Sequence, residues 1–196
     1  MKKKIRITFN APLVLTFAML CAAATLSRAV FGAAGTDRIF ATYGASWGNP
    51  MTYLRLVTHV LGHTGWEHLL GNMSFILLLG PALEEKYGWK NLLGVILAAA
   101  LATGLAHNLL LPRVYLMGAS GVVFAFILLT SFTEFREGEI PLTFILVALI
   151  YLGEQVWEAA AVRDNVSNLS HILGGAVGSG AGYLLNERGK NRAGKA

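Results

Sequence analysis

The stretch Leu116–Phe126 reads Leu-Met-Gly-Ala-Ser-Gly-Val-Val-Phe-Ala-Phe, and it places one hydroxyl group, that of Ser120, inside a very apolar run. Gly118 and Gly121 flank this serine, and glycine is favoured where a backbone turns tightly or where another backbone comes close. Small residues with a serine are also common at contacts between membrane helices, so packing alone could explain the stretch. The stretch therefore marks either a helix contact or a reactive hydroxyl.

A histidine, His171, stands in a second apolar run, Ser-His-Ile-Leu-Gly-Gly-Ala-Val-Gly-Ser-Gly. An ionisable side chain inside such a run is costly in a membrane and is a functional hypothesis by default. A serine hydroxyl is a weak nucleophile until a neighbouring base removes its proton. Ser120 and His171 are therefore candidate members of one catalytic pair.

The composition indicates a membrane protein. Of 196 residues, 55% are hydrophobic and 14% are charged, and the mean hydropathy is +0.55, which is too apolar for a soluble domain of this size. The net charge of +5 comes from basic residues that crowd at the two ends, where membrane topology explains them, so no nucleic-acid surface is implied. The lone cysteine, Cys21, excludes an internal disulfide framework.

Six apolar runs predict an all-α, polytopic membrane protein with six transmembrane helices, because each run is close to the roughly 20 residues that cross a bilayer core. The first run could instead be a cleaved signal peptide, but it continues past Arg28 to spanning length. Residues 32–66 are expected to form an ordered loop at the membrane interface. The expected spans are about 11–31, 67–83, 91–111, 117–133, 140–157 and 167–186, within a domain at 11–187 between basic tails at 1–10 and 188–196.

The separators of these runs are charged or rich in turn residues. They are Glu84-Glu85-Lys86, Pro112-Arg113, Glu134 to Glu139, and Arg163-Asp164-Asn165. In the resulting arrangement eleven Lys and Arg residues share the side of both termini and five lie on the other side. This bias predicts cytoplasmic termini in a multi-pass protein of the cell (inner) membrane.

The helical rise places Ser120 and His171 at matched depth. Ser120 lies 14 residues, or roughly 21 Å, before Glu134, and His171 lies 16 residues, or roughly 24 Å, before Glu187, the charged residues that follow their spans. The fourth helix is then too short to span unless residues 111–119 enter the membrane as a non-helical segment. Such backbone is tolerated only where it is buried in protein or lines a water-filled cavity, which we expect to open to the extracytoplasmic side.

The second span contributes two polar side chains at the same level. His68 and Asn72 are four residues apart and therefore share one helical face. Their depths bracket that of Ser120 by the same helical rise. Two such donors could hold the oxyanion of an acyl-transfer intermediate.

With these motifs the sequence resembles the rhomboid family of intramembrane serine proteases over nearly the whole chain. The matching patterns are His-x-x-x-Asn at His68 and Asn72, Gly-x-Ser-Gly at Gly118 to Gly121, and His-x-x-Gly-x-x-x-Gly at His171, Gly174 and Gly178. The resemblance implies that Ser120 is the nucleophile and His171 the general base and acid, without a carboxylate. It also implies an oxyanion hole formed by His68, Asn72 and the backbone N–H of Ser120.

The resemblance extends to supporting residues. Phe124 matches the aromatic position on which the family's catalytic imidazole packs, and Gly80, Glu84 and Gly88 match a pattern at the end of the second span. Arg55 matches the arginine of a Trp-Arg pair, but Leu54 stands in place of the tryptophan, which leaves the anchoring of the first loop open. Ser170 replaces the usual alanine before the histidine.

Three further features have their own interpretations. Gly174, Gly178 and Gly182 recur every four residues, which predicts a small-residue face for close helix packing that draws His171 towards Ser120. His63 with Glu67-His68 resembles a zinc motif, but the spacing is one residue too long, so no metal site is predicted. Glu154 and Gln155 could face either a cavity or an interfacial contact.

The sequence thus predicts an endopeptidase that needs no cofactor and acts within or near the outer part of the bilayer. By the resemblance, its partners are single-span membrane proteins, which enter laterally past the fifth helix, in addition to membrane lipids. The main alternative is a catalytically silent rhomboid-like protein that binds or escorts membrane proteins, but intact Ser120 and His171 disfavour it. A small transporter is disfavoured because no pair of broken spans is evident. The sequence does not indicate the oligomeric state.

Overall fold

The computed structural model describes residues 8–132 and 165–193, together with short helical pieces at 142–143, 145–147 and 149–150, and gives the backbone alone at 165–167 and 187–193. The expected fifth span at 140–157, including Glu154 and Gln155, lies mostly outside the described residues. So do the separators at 134–139 and 163–164.

Seven helices with defined bounds lie in the described part of the chain, and they are joined by one 3-10 turn at His59–Leu61. They are α1 (Pro12–Phe31), α2 (Ala33–Phe40), α3 (Pro50–Thr58), α4 (Trp66–Tyr87), α5 (Trp89–Leu110), α6 (Ser120–Ser131) and α7 (Asn165–Ala193). These residues contain no strand, and one isolated β-bridge pairs Thr42 with Leu116. The described residues therefore agree with the all-α class.

Two of the described helices are long and apolar enough to cross a membrane, α1 and α5. Helix α6 is apolar but has only 12 residues. The charged residues Glu84-Glu85-Lys86 end the expected span at 67–83 but do not end the helix, because α4 continues through them to Tyr87. The chain turns instead at Gly88, where φ is +78° and the N–H donates to the Glu84 carbonyl over 2.9 Å, a backbone conformation that favours glycine.

The connection at 32–66 contains more regular structure than the expected loop, because it folds into α2, α3 and the 3-10 turn. Asn49 caps α3, with its side-chain oxygen accepting from the Met51 N–H at 3.0 Å. Arg55 is buried; its Nε donates to the Arg38 carbonyl at 2.7 Å and its guanidinium lies 4.5 Å from the ring centre of Tyr43. Arg55 therefore anchors the connection although the adjacent Leu54 is exposed.

Glu84 fastens α1 to α4. Its two carboxylate oxygens accept from the backbone N–H groups of Leu13 and Val14, each at 3.0 Å. These N–H groups belong to the first turn of α1, where a helix has no internal acceptors and where negative charge is favoured. Gly80, one turn earlier on α4, leaves room for the methyl groups of Val14. The charged residue that resembled a span boundary is therefore part of the helix packing.

We expect Glu84→Ala to lower the free energy of unfolding by about 2 to 4 kcal/mol, because two N–H groups lose charged acceptors. Glu85→Ala is the matched control, since Glu85 is exposed on the same turn and should change stability by less than about 0.5 kcal/mol. Denaturation of both purified variants in detergent measures the difference. Equal stabilities would contradict the capping role.

Candidate active site

A cavity of about 730 Å³ brings together residues from three helices and two connecting segments. Its lining includes His68 and Asn72 from α4, Ser120 and Phe124 from α6, and His171 from α7. Residues 114–117 complete one wall. Residues that are more than a hundred positions apart in the sequence, such as His68 and His171, thus face one cavity.

Ser120 is the first residue of α6, and the chain from Leu111 to Ala119 is not helical, as the depth argument requires. Leu116 exchanges two backbone hydrogen bonds of 2.9 Å with Thr42, and the Gly118 N–H donates to the His59 carbonyl at 3.0 Å. Gly118 has a φ of +131°, which an L side chain rarely adopts. The connection between α1 and α4 therefore holds the segment that leads to Ser120.

His171 packs against Phe124. The ring centres of the two side chains are 4.2 Å apart and their planes are inclined by 37°. Both side chains are half-buried and both line the cavity. The aromatic ring thus restricts the positions of the imidazole beside α6.

Helices α6 and α7 approach each other through backbone rather than through side chains. A Cβ atom on Gly174 would overlap the Gly121 carbonyl oxygen, and one on Gly178 would overlap the Ala125 carbonyl oxygen. Gly182 continues the contact against the ring of Phe132. The small residues allow the short interhelical distance that places His171 next to the beginning of α6.

His68 and Asn72 meet the chain at Gly118. A Cβ atom at Gly118 would lie 2.8 Å from His68 Nε2 and 3.8 Å from Asn72 Nδ2. Asn72 is 8% exposed, and its Nδ2 has no hydrogen-bond partner among the described residues. A buried amide donor without a partner is unusual, and Asn72 lines the same cavity as Ser120.

Two buried histidines, His59 and His63, lie next to the residues of the site. His59 Nε2 lies 3.2 Å from Thr103 Oγ1 on α5, and His63 packs edge-on against His68 with ring centres 5.0 Å apart. Burial lowers the pKa of each to about 4, with a further contribution from His68 in the case of His63. Both are neutral at pH 7 and serve packing. Their spacing gave no signal of this role.

These features define a helical protein in which a serine and a histidine face one cavity beside two hydrogen-bond donors. Residues 50–188 match the family model of the Rhomboid domain. The chain therefore belongs to the rhomboid family, and it is a membrane protein. This family includes serine proteases.

Curated relatives agree with this assignment. The chain is 31% identical over 158 residues to mouse Rhomboid-related protein 2, covering 70% of this chain and 52% of the relative. It is 28% identical over 140 residues to Rhomboid-like protease 2 of Toxoplasma gondii, covering 68% and 48%. It is 26% identical over 149 residues to the chloroplastic Rhomboid-like protein 11 of Arabidopsis thaliana, covering 69% and 53%. The chain thus spans about half the length of these relatives.

The contact between α6 and α7 predicts different results at two glycines of α7. We expect Gly174→Ala to cost about 1 to 3 kcal/mol of stability, because the new methyl group forces the helices apart. Gly180→Ala is the matched control, since nothing lies within 4 Å of its Cβ position, and alanine there should be neutral or stabilising by up to about 1 kcal/mol. Thermal unfolding of both variants tests this, and equal losses would argue against the close contact.

Proposed function

We propose that the protein is an intramembrane serine endopeptidase that cleaves single-span membrane proteins within or near the outer part of the bilayer. The observation that carries the proposal is the shared cavity, in which Ser120 and His171 face the same space as His68 and Asn72. Membership of a family that includes serine proteases supports it. The chemistry requires no cofactor, because serine, imidazole and amide groups supply every step.

In the proposed reaction His171 removes the proton from Ser120 Oγ as the oxygen attacks the scissile carbonyl carbon. The carbonyl oxygen becomes negatively charged in the tetrahedral intermediate. His171 then gives the proton to the departing amine, and the acyl group stays on Ser120. Water activated by the same imidazole hydrolyses this ester and restores the serine.

The proposed oxyanion hole uses three donors. They are Nε2–H of His68, Nδ2–H of Asn72, and the backbone N–H of Ser120. The last belongs to the first turn of α6, where N–H groups lack acceptors within the helix and favour negative charge. Donors fixed in place before the reaction stabilise the developing charge without reorganisation.

No carboxylate is assigned to orient His171 in this proposal. Packing of the imidazole on Phe124 at 4.2 Å supports such a role for the aromatic ring. The backbone contact of Gly174 with Gly121 restricts α7 in the same region. We therefore assign orientation of the base to packing, with Gly118 and Gly121 providing the close approaches around Ser120.

The proposal includes the topology expected from the sequence. Six spans with both termini in the cytoplasm would open the cavity to the extracytoplasmic side of the cell (inner) membrane, and substrates would enter laterally past the fifth span. The excess of Lys and Arg on one side supports this orientation. The fifth span lies mostly outside the described residues, so its part in substrate entry rests on the resemblance.

Cleavage of a single-span substrate by the purified protein tests the proposal. Ser120→Ala and His171→Ala should each reduce turnover by about 10⁴-fold or more, and the double variant should be no worse, because members of a catalytic pair act as a unit. Wild-type protein that is folded but inactive would favour the silent binding protein. Losses that simply add in the double variant would contradict the pair.

A further inference from the structure

We propose that Thr64 is a positioning residue for His68. Its hydroxyl holds Nδ1 of the imidazole, so that Nε2 carries the ring proton and faces the position of the oxyanion. The inference rests on the proposed function, since it explains how one of the proposed donors acquires its protonation state.

The geometry places Thr64 directly before α4. Its Oγ1 lies 3.3 Å from His68 Nδ1, while the helix itself begins after Gly65 without a side-chain cap. Among the described residues, neither the Thr64 hydroxyl nor the His68 ring forms another hydrogen bond. The opposite ring nitrogen, Nε2, faces Gly118. The hydroxyl and the oxyanion position are therefore on opposite edges of one ring.

The proton distribution follows from the groups present. A neutral imidazole carries one N–H, and a hydroxyl has one proton to donate. The contact between Thr64 Oγ1 and His68 Nδ1 can form with either group as the donor. In the proposed arrangement the hydroxyl donates, so that Nδ1 is the unprotonated nitrogen and Nε2 the protonated one. Asn72 Nδ2 is consistent with this assignment, because it faces the same point at Gly118 and does not bond the ring. Two N–H donors that both point at the proposed position of the oxyanion would not bond each other.

Arg28 fixes Thr64 from the other side. Its Nη1 donates to the Thr64 carbonyl at 3.0 Å, and its Nε donates to Asp37 Oδ1 at 3.0 Å. Arg28, which interrupts the first apolar run, thus connects α1 to α2 and to the residues just before α4. A row of hydrogen bonds runs from Asp37 through Arg28 and Thr64 to His68.

The side chain of Thr64 is exposed and lines the cavity, so its hydroxyl can be changed without repacking the core. Thr64→Val replaces the hydroxyl by a methyl group of similar size, and Thr64→Ser retains the hydroxyl. Loss of the bond permits the other tautomer, in which Nε2 cannot donate. If the Thr64 hydroxyl only contacted water at the beginning of α4, its removal would leave the tautomer of His68 unchanged.

The first measurement is kinetic. We expect Thr64→Val to lower the turnover number by at least about 10-fold. The loss should not exceed the roughly 10² to 10³-fold that is typical of a lost oxyanion donor. The Michaelis constant and the unfolding temperature should change little, and Thr64→Ser should retain nearly wild-type turnover. Thr64→Val with wild-type turnover, or a serine variant as impaired as the valine variant, would overturn the proposal.

The second measurement does not depend on activity. Nitrogen NMR of ¹⁵N-histidine-labelled protein reports which ring nitrogen of His68 is protonated, with His68→Ala identifying its signals. We expect the wild type to be protonated at Nε2 and Thr64→Val to shift towards Nδ1. A wild type protonated at Nδ1, or a valine variant with an unchanged tautomer, would overturn the positioning role. A protein that shows the expected shift but never cleaves substrate would overturn the proposed function alone.

Discussion

The site depends on a close contact between the backbones of α6 and α7, with no side chain between them at Gly174 and Gly178. Gly174 and Gly178 lie against the carbonyl groups of Gly121 and Ala125 over one full helical turn. This contact allows a histidine on one helix to share a cavity with a serine at the beginning of the other. Larger residues on this face would separate the helices, and the two functional groups would no longer face one space.

The second requirement is a short α6 that begins at Ser120. The chain before it is held by backbone bonds from Leu116 to Thr42 and from Gly118 to His59, both in the connection that follows α1. Within that connection Arg55 of α3 bonds Arg38 of α2, and Arg28 of α1 bonds Thr64 near its end. The loop between α1 and α4 is therefore a structural support of the site.

Sequence reasoning predicted the helical class and the family, because apolar run lengths and three spaced motifs are local signals. It gave Glu84 no role in helix packing, since Glu84 resembles a surface charge until its acceptor role at the beginning of α1 is seen. It gave no role to Thr64, because Gly65 separates it from the helix that carries His68. His59 was missed as well, because its bonds to Thr103 and Gly118 connect residues far apart in the sequence.

We propose that His171 activates Ser120 across the contact of α6 with α7. Reaction of the folded protein with a serine-directed fluorophosphonate, followed by mass spectrometry of the modified residue, tests it most directly. We expect modification at Ser120 and a decrease in its rate by about 10² to 10⁴-fold in His171→Ala, the range of a lost general base. Modification at the wild-type rate in His171→Ala, or a folded wild-type protein that is not modified at Ser120, would contradict the account.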